Sequence, residues 1–173
     1  MSVPGSSLPS TVIDNELYLG SFSDAKNRQT FNSLKIGCVI NCTWELPNHF
    51  EKEGNVKYLR LELIDVTHCD ATPHFDKVYE FITNFFNSQP QRNAVLFHCA
   101  HGISRSTTMT IAYLMRKNMW DVKTAYYYLK AIRDIIQPNE GFVECLLKYE
   151  KILFPDRSEP SIDISQYHKI FNN

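Results

Sequence analysis

An apolar run that leads through a short turn into a helical pattern most constrains how this chain can fold. Residues 94–97 (Ala-Val-Leu-Phe) are typical of a buried strand, and a helix-like segment begins near Ser106. The turn between them contains one glycine, Gly102, which allows the backbone to bend and to approach a ligand closely. A buried strand followed at once by a helix indicates an α/β fold, with this turn at the helix N-terminus.

Two chemically reactive side chains, Cys99 and Arg105, lie on that turn. A helix N-terminus carries about half a positive charge and several unpaired N–H groups, so such a turn forms a cradle for phosphate. The guanidinium of Arg105 is a planar fork that binds two phosphate oxygens. The same positive field favours the thiolate form of Cys99, which attacks phosphorus to give a phosphocysteine. The predicted phosphate-binding residues are Ala100, His101, Gly102, Ile103, Ser104 and Arg105.

The block from His98 to Ser106, of the form H-C-x-x-G-x-S-R-S, resembles the signature of the cysteine-dependent protein phosphatases, and most closely that of their dual-specificity branch. The resemblance implies a compact, atypical member in which Cys99 is the nucleophile, Arg105 binds phosphate and stabilises the transition state, and Ser106 helps the thiolate to leave. It also implies phosphorylated proteins as substrates and a reaction that needs no metal or cofactor. The resemblance covers roughly residues 12–154 and includes residues 17–20, 112–115 and 138–142.

Three further polar residues, two of them inside this block, have supporting or uncertain roles. By the same resemblance, His98 helps to set the conformation and reactivity of Cys99, and Asn41, at a predicted strand end, braces the phosphate loop. A simple strand-end polar residue is an equal interpretation of Asn41. His101 departs from the family pattern, in which a small residue is common, and we interpret it as an exposed loop histidine. His98, Cys99 and His101 lie too close in sequence to converge on zinc, so no metal site is predicted.

A proton donor is needed to expel an alkoxide or phenolate, and a carboxylic acid on a loop suits that role. The candidates, Asp65 and Asp70, follow an alternating strand at residues 58–63. The spacing of Asp65 from Phe75 resembles that of the dual-specificity family, whose acid occupies this position. We therefore predict Asp65 as the general acid and keep Asp70 as the second candidate, with a helix cap as its plainer interpretation.

The remaining patterns predict a mixed, partly parallel central sheet flanked by helices. The family resemblance implies that this fold is similar to that of the protein tyrosine phosphatases. A helix capped by Ser23 is expected to run to about Lys35, and Asp121 is expected to cap another helix. The alternating strand at residues 58–63 is expected near a sheet edge. The other predicted strands are residues 17–19, 37–41 and 94–97, and the other helical faces are residues 75–86, 111–115, 122–132 and 142–153.

The length of 173 residues favours a single domain with a sizeable core. We divide the chain into an N-terminal extension at residues 1–11, a dual-specificity phosphatase catalytic domain at residues 12–154 and a C-terminal tail at residues 155–173. The tail is polar with scattered apolar residues. It is expected either to be disordered or to pack on the domain.

Charge and cysteine content bear on partners and location. The net charge of −1 provides no basic field for nucleic acid, and no apolar run reaches the length of about 18 residues that a membrane span requires. No membrane anchor is predicted, and the oligomeric state is left open. Five irregularly spaced cysteines indicate free thiols in a reducing compartment, so a cytoplasmic and also a nuclear location is expected. Cys42 is a candidate to trap oxidised Cys99 as a disulfide, although simple packing explains it equally well.

Two alternative functions use the same loop. One keeps the chemistry and changes the substrate to a phosphoinositide, a phosphoglycan or an RNA 5′ phosphate, but the loop lacks the lysines common in lipid-directed relatives. The other is a phosphate-binding module without catalysis. Such a module would be expected to lack the cysteine, the arginine or the acid, and all three are present as Cys99, Arg105 and Asp65.

Overall fold

The computed structural model describes residues 8–171 and contains a five-stranded sheet in the order β1-β2-β5-β3-β4. Strand β1 pairs with β2 in the antiparallel sense, and the other three pairings are parallel, so the predicted mixed, partly parallel sheet is confirmed. The strands are β1 (Ser10–Ile13), β2 (Leu17–Gly20), β3 (Ile36–Asn41), β4 (Lys57–Arg60) and β5 (Ala94–His98).

Seven α-helices and two short 3-10 helices surround this sheet within the described residues. The 3-10 helices are Glu51–Glu53 and Ile164–Gln166. The α-helices are α1 (Phe22–Ala25), α2 (Arg28–Ser33), α3 (Thr72–Asn87), α4 (Arg105–Asn118), α5 (Val122–Ile132), α6 (Glu140–Leu153) and α7 (Tyr167–Phe171).

Strand β5 lies at the centre of the sheet, and its two faces bury side chains in two different cores. Val95 and Phe97 join the larger core with α3 to α6, whereas Ala94 and Leu96 join the smaller core on the side of α1 and α2. Burial on both faces explains why the strand is continuously apolar in the sequence. The parallel strands therefore end together at one edge, where His98 is in register with Gly20 and Asn41.

Three details differ from the predicted elements. The helix expected from Ser23 to Lys35 is divided into α1 and α2, because the Asn27 side chain accepts from two backbone N–H groups and begins α2. The predicted cap at Ser23 is wrong, since Ser21 forms a capping box with Asp24 at the start of α1. Strand β1 was not predicted, since its four residues carry no clear alternation.

The alternating segment at residues 58–63 forms a shorter strand than expected. Strand β4 lies at the sheet edge, as predicted, but ends at Arg60. Glu62 has a positive φ of 53°, which turns the chain away from the sheet before Asp65.

The segment after α6 packs back on the body of the molecule. Ile162, Tyr167 and Phe171 are buried in the larger core beside residues of α4, α5 and α6. Of the two alternatives for the tail, packing on the domain is the one that its described residues adopt. None of the helices in residues 8–171 combines the length and apolar character needed to cross a bilayer.

Candidate active site

The loop between β5 and α4 wraps around the sulfur of Cys99. Gly102 has φ +70°, a left-handed conformation, and a Cβ placed there would lie 2.6 Å from the Gly20 carbonyl oxygen. The glycine therefore lets the loop coil tightly against the end of β2. Helix α4 begins at Arg105, so the predicted strand–turn–helix arrangement around Cys99 is present.

Two hydrogen bonds converge on Cys99, which is only 2 % exposed. The Gly102 N–H and the Ser106 hydroxyl each donate to the sulfur, both at 3.2 Å. A buried sulfur that accepts two donors at a helix N-terminus is in surroundings that stabilise a thiolate. The Ser106 hydroxyl is thus in direct contact with the sulfur that the sequence predicts as the nucleophile.

Arg105 is buried beside this loop, and one of its nitrogens carries most of its contacts. Its Nη1 donates to both carboxylate oxygens of Glu45, at 2.7 and 2.9 Å, and to the Leu63 carbonyl at 3.2 Å. Its buried Nε lies 3.9 Å from Asp65 Oδ2 and has no hydrogen-bond partner among the described residues. The guanidinium is therefore fixed at one end, with a buried donor that a phosphate oxygen would satisfy.

Asn41 organises the loop that presents Glu45. Its amide nitrogen donates to the Leu46 carbonyl and to Asn48 Oδ1, both at 2.9 Å, and its amide oxygen accepts from the Thr43 hydroxyl at 2.7 Å. These contacts differ from the predicted bracing of the phosphate loop. Asn41 instead holds the turn after β3, and that turn contains Glu45, the partner of Arg105.

Asp65 and Asp70 lie in different surroundings. Asp65 Oδ1 accepts from the Ser104 hydroxyl at 2.7 Å and from Asn139 Nδ2 at 2.8 Å, so this carboxylate faces the phosphate loop. Asp70 accepts a hydrogen bond from the Thr72 N–H at 3.0 Å, at the start of α3. This hydrogen bond is the main reason why the pKa of Asp70 lies below its usual range. Asp70 therefore binds the first N–H of α3, although Ala71 occupies the N-cap position itself.

The carbonyl groups of the phosphate loop are held from outside. Arg133 donates through Nε to the Gly102 carbonyl at 2.8 Å and through Nη2 to the His101 carbonyl at 3.0 Å. The Gln137 N–H donates to the Ile103 carbonyl at 2.8 Å, and the Phe22 N–H to the Ala100 carbonyl at 3.3 Å. These contacts turn carbonyls away from the sulfur, while the Gly102 amide points toward it.

His98, Cys42 and His101 complete the predicted set. His98 is buried, and burial lowers its pKa to about 4, so the ring is neutral at physiological pH; a ring nitrogen lies 3.5 Å from the Cys99 carbonyl oxygen. Burial raises the pKa of the Cys42 thiol well above its ordinary value, and the Cys99 charge adds to the rise. His101 is exposed.

Sequence reasoning did not identify Glu45, Arg133 or Asn139 as site residues. Glu45 follows β3 at the sheet edge where Cys99 lies, so its position offered a signal. Asn139 lies within the residues 138–142 on which the family resemblance partly depends. Arg133 carries no local pattern, because its role arises only when the end of α5 meets the phosphate loop. No cluster of three or more His, Cys, Asp or Glu side chains in residues 8–171 is arranged to hold a metal ion.

Comparison with known proteins agrees with this geometry. The family model described as the dual specificity phosphatase catalytic domain matches residues 17–152. Human dual specificity protein phosphatase 14 is 37 % identical over 142 residues, which cover 82 % of this chain and 69 % of the relative.

Solved structures of related enzymes superimpose closely. The crystal structure of human DUSP28 has a TM-score of 0.75 and 25 % identity, over 84 % of this chain and 98 % of that one. The crystal structure of DUSP15 has a TM-score of 0.73 and 28 % identity, over 89 % of this chain and 99 % of that one. The chain therefore belongs to the dual specificity phosphatases and is a compact, cysteine-dependent protein phosphatase.

Proposed function

We propose that Cys99 is the nucleophile, Arg105 the phosphate-binding residue, Asp65 the general acid and base, and Ser106 the group that stabilises the leaving thiolate. The substrates are phosphorylated proteins carrying phosphotyrosine, phosphoserine or phosphothreonine. The observation that carries this proposal is the convergence of the Gly102 N–H and the Ser106 hydroxyl on the buried Cys99 sulfur at 3.2 Å. Such donors stabilise a thiolate both before attack and after departure.

In the first step, the Cys99 thiolate attacks phosphorus and a sulfur–phosphorus bond forms. The ester P–O bond breaks, and the protonated Asp65 gives its proton to the departing oxygen. Negative charge on the equatorial phosphate oxygens is bound by loop amides and by Arg105. Because Arg105 Nη1 is already held by Glu45, the guanidinium does not have to be ordered when the substrate arrives.

In the second step, water attacks the phosphocysteine and the sulfur–phosphorus bond breaks. The Asp65 carboxylate takes a proton from the water, and inorganic phosphate and the Cys99 thiolate result. The Ser106 hydroxyl hydrogen-bonds the thiolate as charge returns to sulfur, which lowers the barrier to its departure.

The proposal of a protein substrate is supported by exposed apolar side chains on the loops that carry the site residues. Trp44 is 57 % exposed and precedes Glu45, and Ile64 is exposed and precedes Asp65. Ile135 is exposed in the segment between Arg133 and Gln137, which both hold the phosphate loop. Exposed apolar residues on three loops around an anion site suit a peptide better than a polar inositol or sugar phosphate.

Cytoplasm or nucleus is the proposed location. It is supported by the five cysteines, all of which are free thiols within the described residues. The proposed partners include no nucleic acid and no membrane anchor, in line with the near-neutral net charge.

An aryl phosphate assay tests the nucleophile. We expect Cys99→Ser to abolish turnover and the wild-type protein to remain active in a metal chelator, because the mechanism uses no metal. Activity that survives Cys99→Ser would refute thiolate catalysis, and a wild-type protein that binds phosphopeptides without turning them over would indicate a binding module.

A matched pair of variants tests the acid. Asp65→Asn should lower turnover of an alkyl phosphate by about 10²- to 10⁴-fold, the usual contribution of general acid–base catalysis. Asp70→Asn should leave that turnover unchanged, because the Asp70 carboxylate binds the Thr72 N–H at the start of α3. The reverse result would make Asp70 the acid.

A substrate panel tests the substrate class. Phosphotyrosine, phosphoserine and phosphothreonine peptides should be hydrolysed with higher kcat/KM than phosphoinositides, phosphoglycans or RNA 5′ phosphates. A preference for any of these other phosphates would overturn the protein-substrate proposal while leaving the chemistry at Cys99 intact.

A further inference from the structure

The C-terminal segment 162–171 lies beyond the residues that match the family model, which end at 152, yet it contacts the connection that leads into α6. Tyr167 and Phe171 of α7 are 8 % and 1 % exposed, and their rings stack with centroids 5.3 Å apart. Phe171 also packs on Tyr126 of α5, with ring centroids 4.3 Å apart. These contacts fix α7 against the body of the molecule.

The Tyr167 hydroxyl reaches from α7 to the connection before α6. It donates to the Pro138 carbonyl at 2.9 Å in a buried hydrogen bond. A carbonyl that lost this donor in a buried place would remain unsatisfied, and that is costly. Tyr167 therefore fixes the position of Pro138, the residue directly before Asn139.

Asn139 joins this connection to the catalytic loops through three separate groups. Its Nδ2 donates to Asp65 Oδ1 at 2.8 Å, and its backbone N–H donates to the Ser104 hydroxyl at 3.2 Å. Its Oδ1 accepts from the Phe142 N–H at 3.0 Å and caps α6. With all three groups engaged, a shift of the backbone at Asn139 is transmitted to the Asp65 carboxylate.

The surrounding contacts leave little space for independent movement of the acid loop. A Cβ at Gly141 would lie 1.8 Å from the Thr67 carbonyl oxygen, so the first turn of α6 is in direct contact with the loop that follows Asp65. The electrostatics agree, because after burial the carboxylates of Glu140 and Asp65 raise the pKa of Tyr167.

We propose that Tyr167 is a positioning residue for the general acid, acting through the Pro138 carbonyl and the Asn139 side chain to aim the Asp65 carboxyl at the leaving group. The inference rests on the proposed role of Asp65. It makes the segment 162–171 part of the catalytic unit of this chain.

Leaving-group dependence tests this inference. Tyr167→Phe removes one hydroxyl and should lower kcat for a simple alkyl phosphate by about 3- to 10-fold, the equivalent of one hydrogen bond. An aryl phosphate whose phenol is acidic enough to depart as an anion needs no proton, so its kcat should fall far less. A purely structural role would lower both rates in parallel, and parallel loss would overturn the inference.

Tyr126→Phe is the matched control, since the Tyr126 hydroxyl also joins the tail to the body, at 3.3 Å from the Ile170 carbonyl, but does not contact the Pro138–Asn139 connection. We expect this variant to keep the wild-type ratio of alkyl to aryl rates. An equal change of the ratio in both variants would contradict a specific role for Tyr167.

Asp65→Asn measured beside them separates the two proposals. If Asp65→Asn changes the ratio and Tyr167→Phe does not, Asp65 remains the acid and the positioning role is wrong. If Asp65→Asn leaves the ratio unchanged, the acid assignment fails and the inference fails with it.

Discussion

At the residue scale, the site depends on which N–H groups of Arg105 are already hydrogen-bonded and which buried one is not. Arg105 Nη1 gives its hydrogen bonds to Glu45 and to the Leu63 carbonyl, whereas the buried Nε has no partner among the described residues. A long flexible side chain loses entropy when it is ordered, and Glu45 imposes that order before the substrate binds. We therefore expect Glu45 to contribute to catalysis by ordering Arg105, without contacting the reacting atoms.

Replacing Glu45 tests this preorganisation. Glu45→Gln removes a charge-assisted pair, and we expect kcat/KM for aryl phosphates to fall about tenfold, within the range of hydrogen bonds to charged groups. Steady-state kinetics measures the loss. Glu62→Gln is the control. Glu62 is an exposed carboxylate in the segment after β4, and its replacement should leave wild-type kinetics unchanged. Equal kinetics for wild-type and Glu45→Gln would contradict the role.

The burial of His98 predicts how the free energy of unfolding depends on pH in the acid range. Its pKa is about 4 in the folded protein because of burial, against an ordinary value of 6.5. Above pH 6.5 the imidazole is neutral in both states, and its contribution to stability is complete. As the pH falls below 6.5 the unfolded chain takes up a proton first, so stability falls by about 1.4 kcal/mol per pH unit until about pH 4.

Urea unfolding at two pH values measures this effect. Between pH 6.5 and pH 5, the wild-type free energy of unfolding should fall by about 2 kcal/mol more than that of His98→Gln. The variant is expected to be less stable overall, so the comparison is of the pH-dependent change and not of absolute stability. An identical change in both proteins would show that His98 is not the group responsible.

At the scale of elements, the start of α6 and the acid loop form one unit. Asn139 caps α6 and binds Asp65, and Gly141 allows the helix to touch the Thr67 carbonyl. Close packing of backbone on backbone is possible here only because Gly141 has no side chain. The position of the Asp65 carboxylate is therefore set by a helix N-terminus as well as by its own loop.

Gly141→Ala should separate these two backbones. A Cβ 1.8 Å from the Thr67 oxygen forces a backbone shift, so we expect a loss of about 1–3 kcal/mol in stability and a larger fall in alkyl than in aryl phosphate turnover. Gly54→Ala is the control, because Gly54 has φ +73° but nothing within 4 Å of a Cβ added there. It should cost stability without changing the rate ratio. An unchanged ratio in Gly141→Ala would contradict the coupling.

The same scale shows what the sequence could and could not predict. Strand β5, the loop and α4 were predictable, because burial on both faces and the helical period leave direct marks in the sequence. The break between α1 and α2 was missed because a single side chain, Asn27, decides it. Arg133 was missed because its partner lies 31 residues away along the chain, and no local pattern encodes that contact. Glu45 lies 60 residues from Arg105, so its place after β3 indicated the correct sheet edge but not its partner.

At the scale of the whole molecule, a buried carboxylate ties the tail to the helices. Glu150 of α6 accepts from the Val122 N–H at the start of α5, at 2.8 Å, and from the Ser161 N–H at 2.7 Å, and it pairs with Arg157 at 3.3 Å. A buried carboxylate lowers the stability of a protein unless hydrogen bonds and ion pairs compensate its charge. The Glu150 carboxylate has such partners. It fixes the chain that leads to α7 and hence to Tyr167.

Glu150→Gln should loosen this connection. We expect the free energy of unfolding to fall by about 1–3 kcal/mol and residues 155–161 to become more sensitive to protease. Glu144→Gln, at an exposed position of the same helix, should change neither property. Equal stability and equal proteolysis of the two variants would contradict the role of Glu150 in holding the tail.

The most direct test of thiolate catalysis is to trap the covalent intermediate. The wild-type protein is mixed with an aryl phosphate and quenched in acid within the first turnover, and the site of phosphorylation is then mapped by mass spectrometry. The account predicts one phosphoryl group on Cys99, absent in Cys99→Ser. A phosphoryl group on any other residue, or steady turnover by Cys99→Ser, would contradict it.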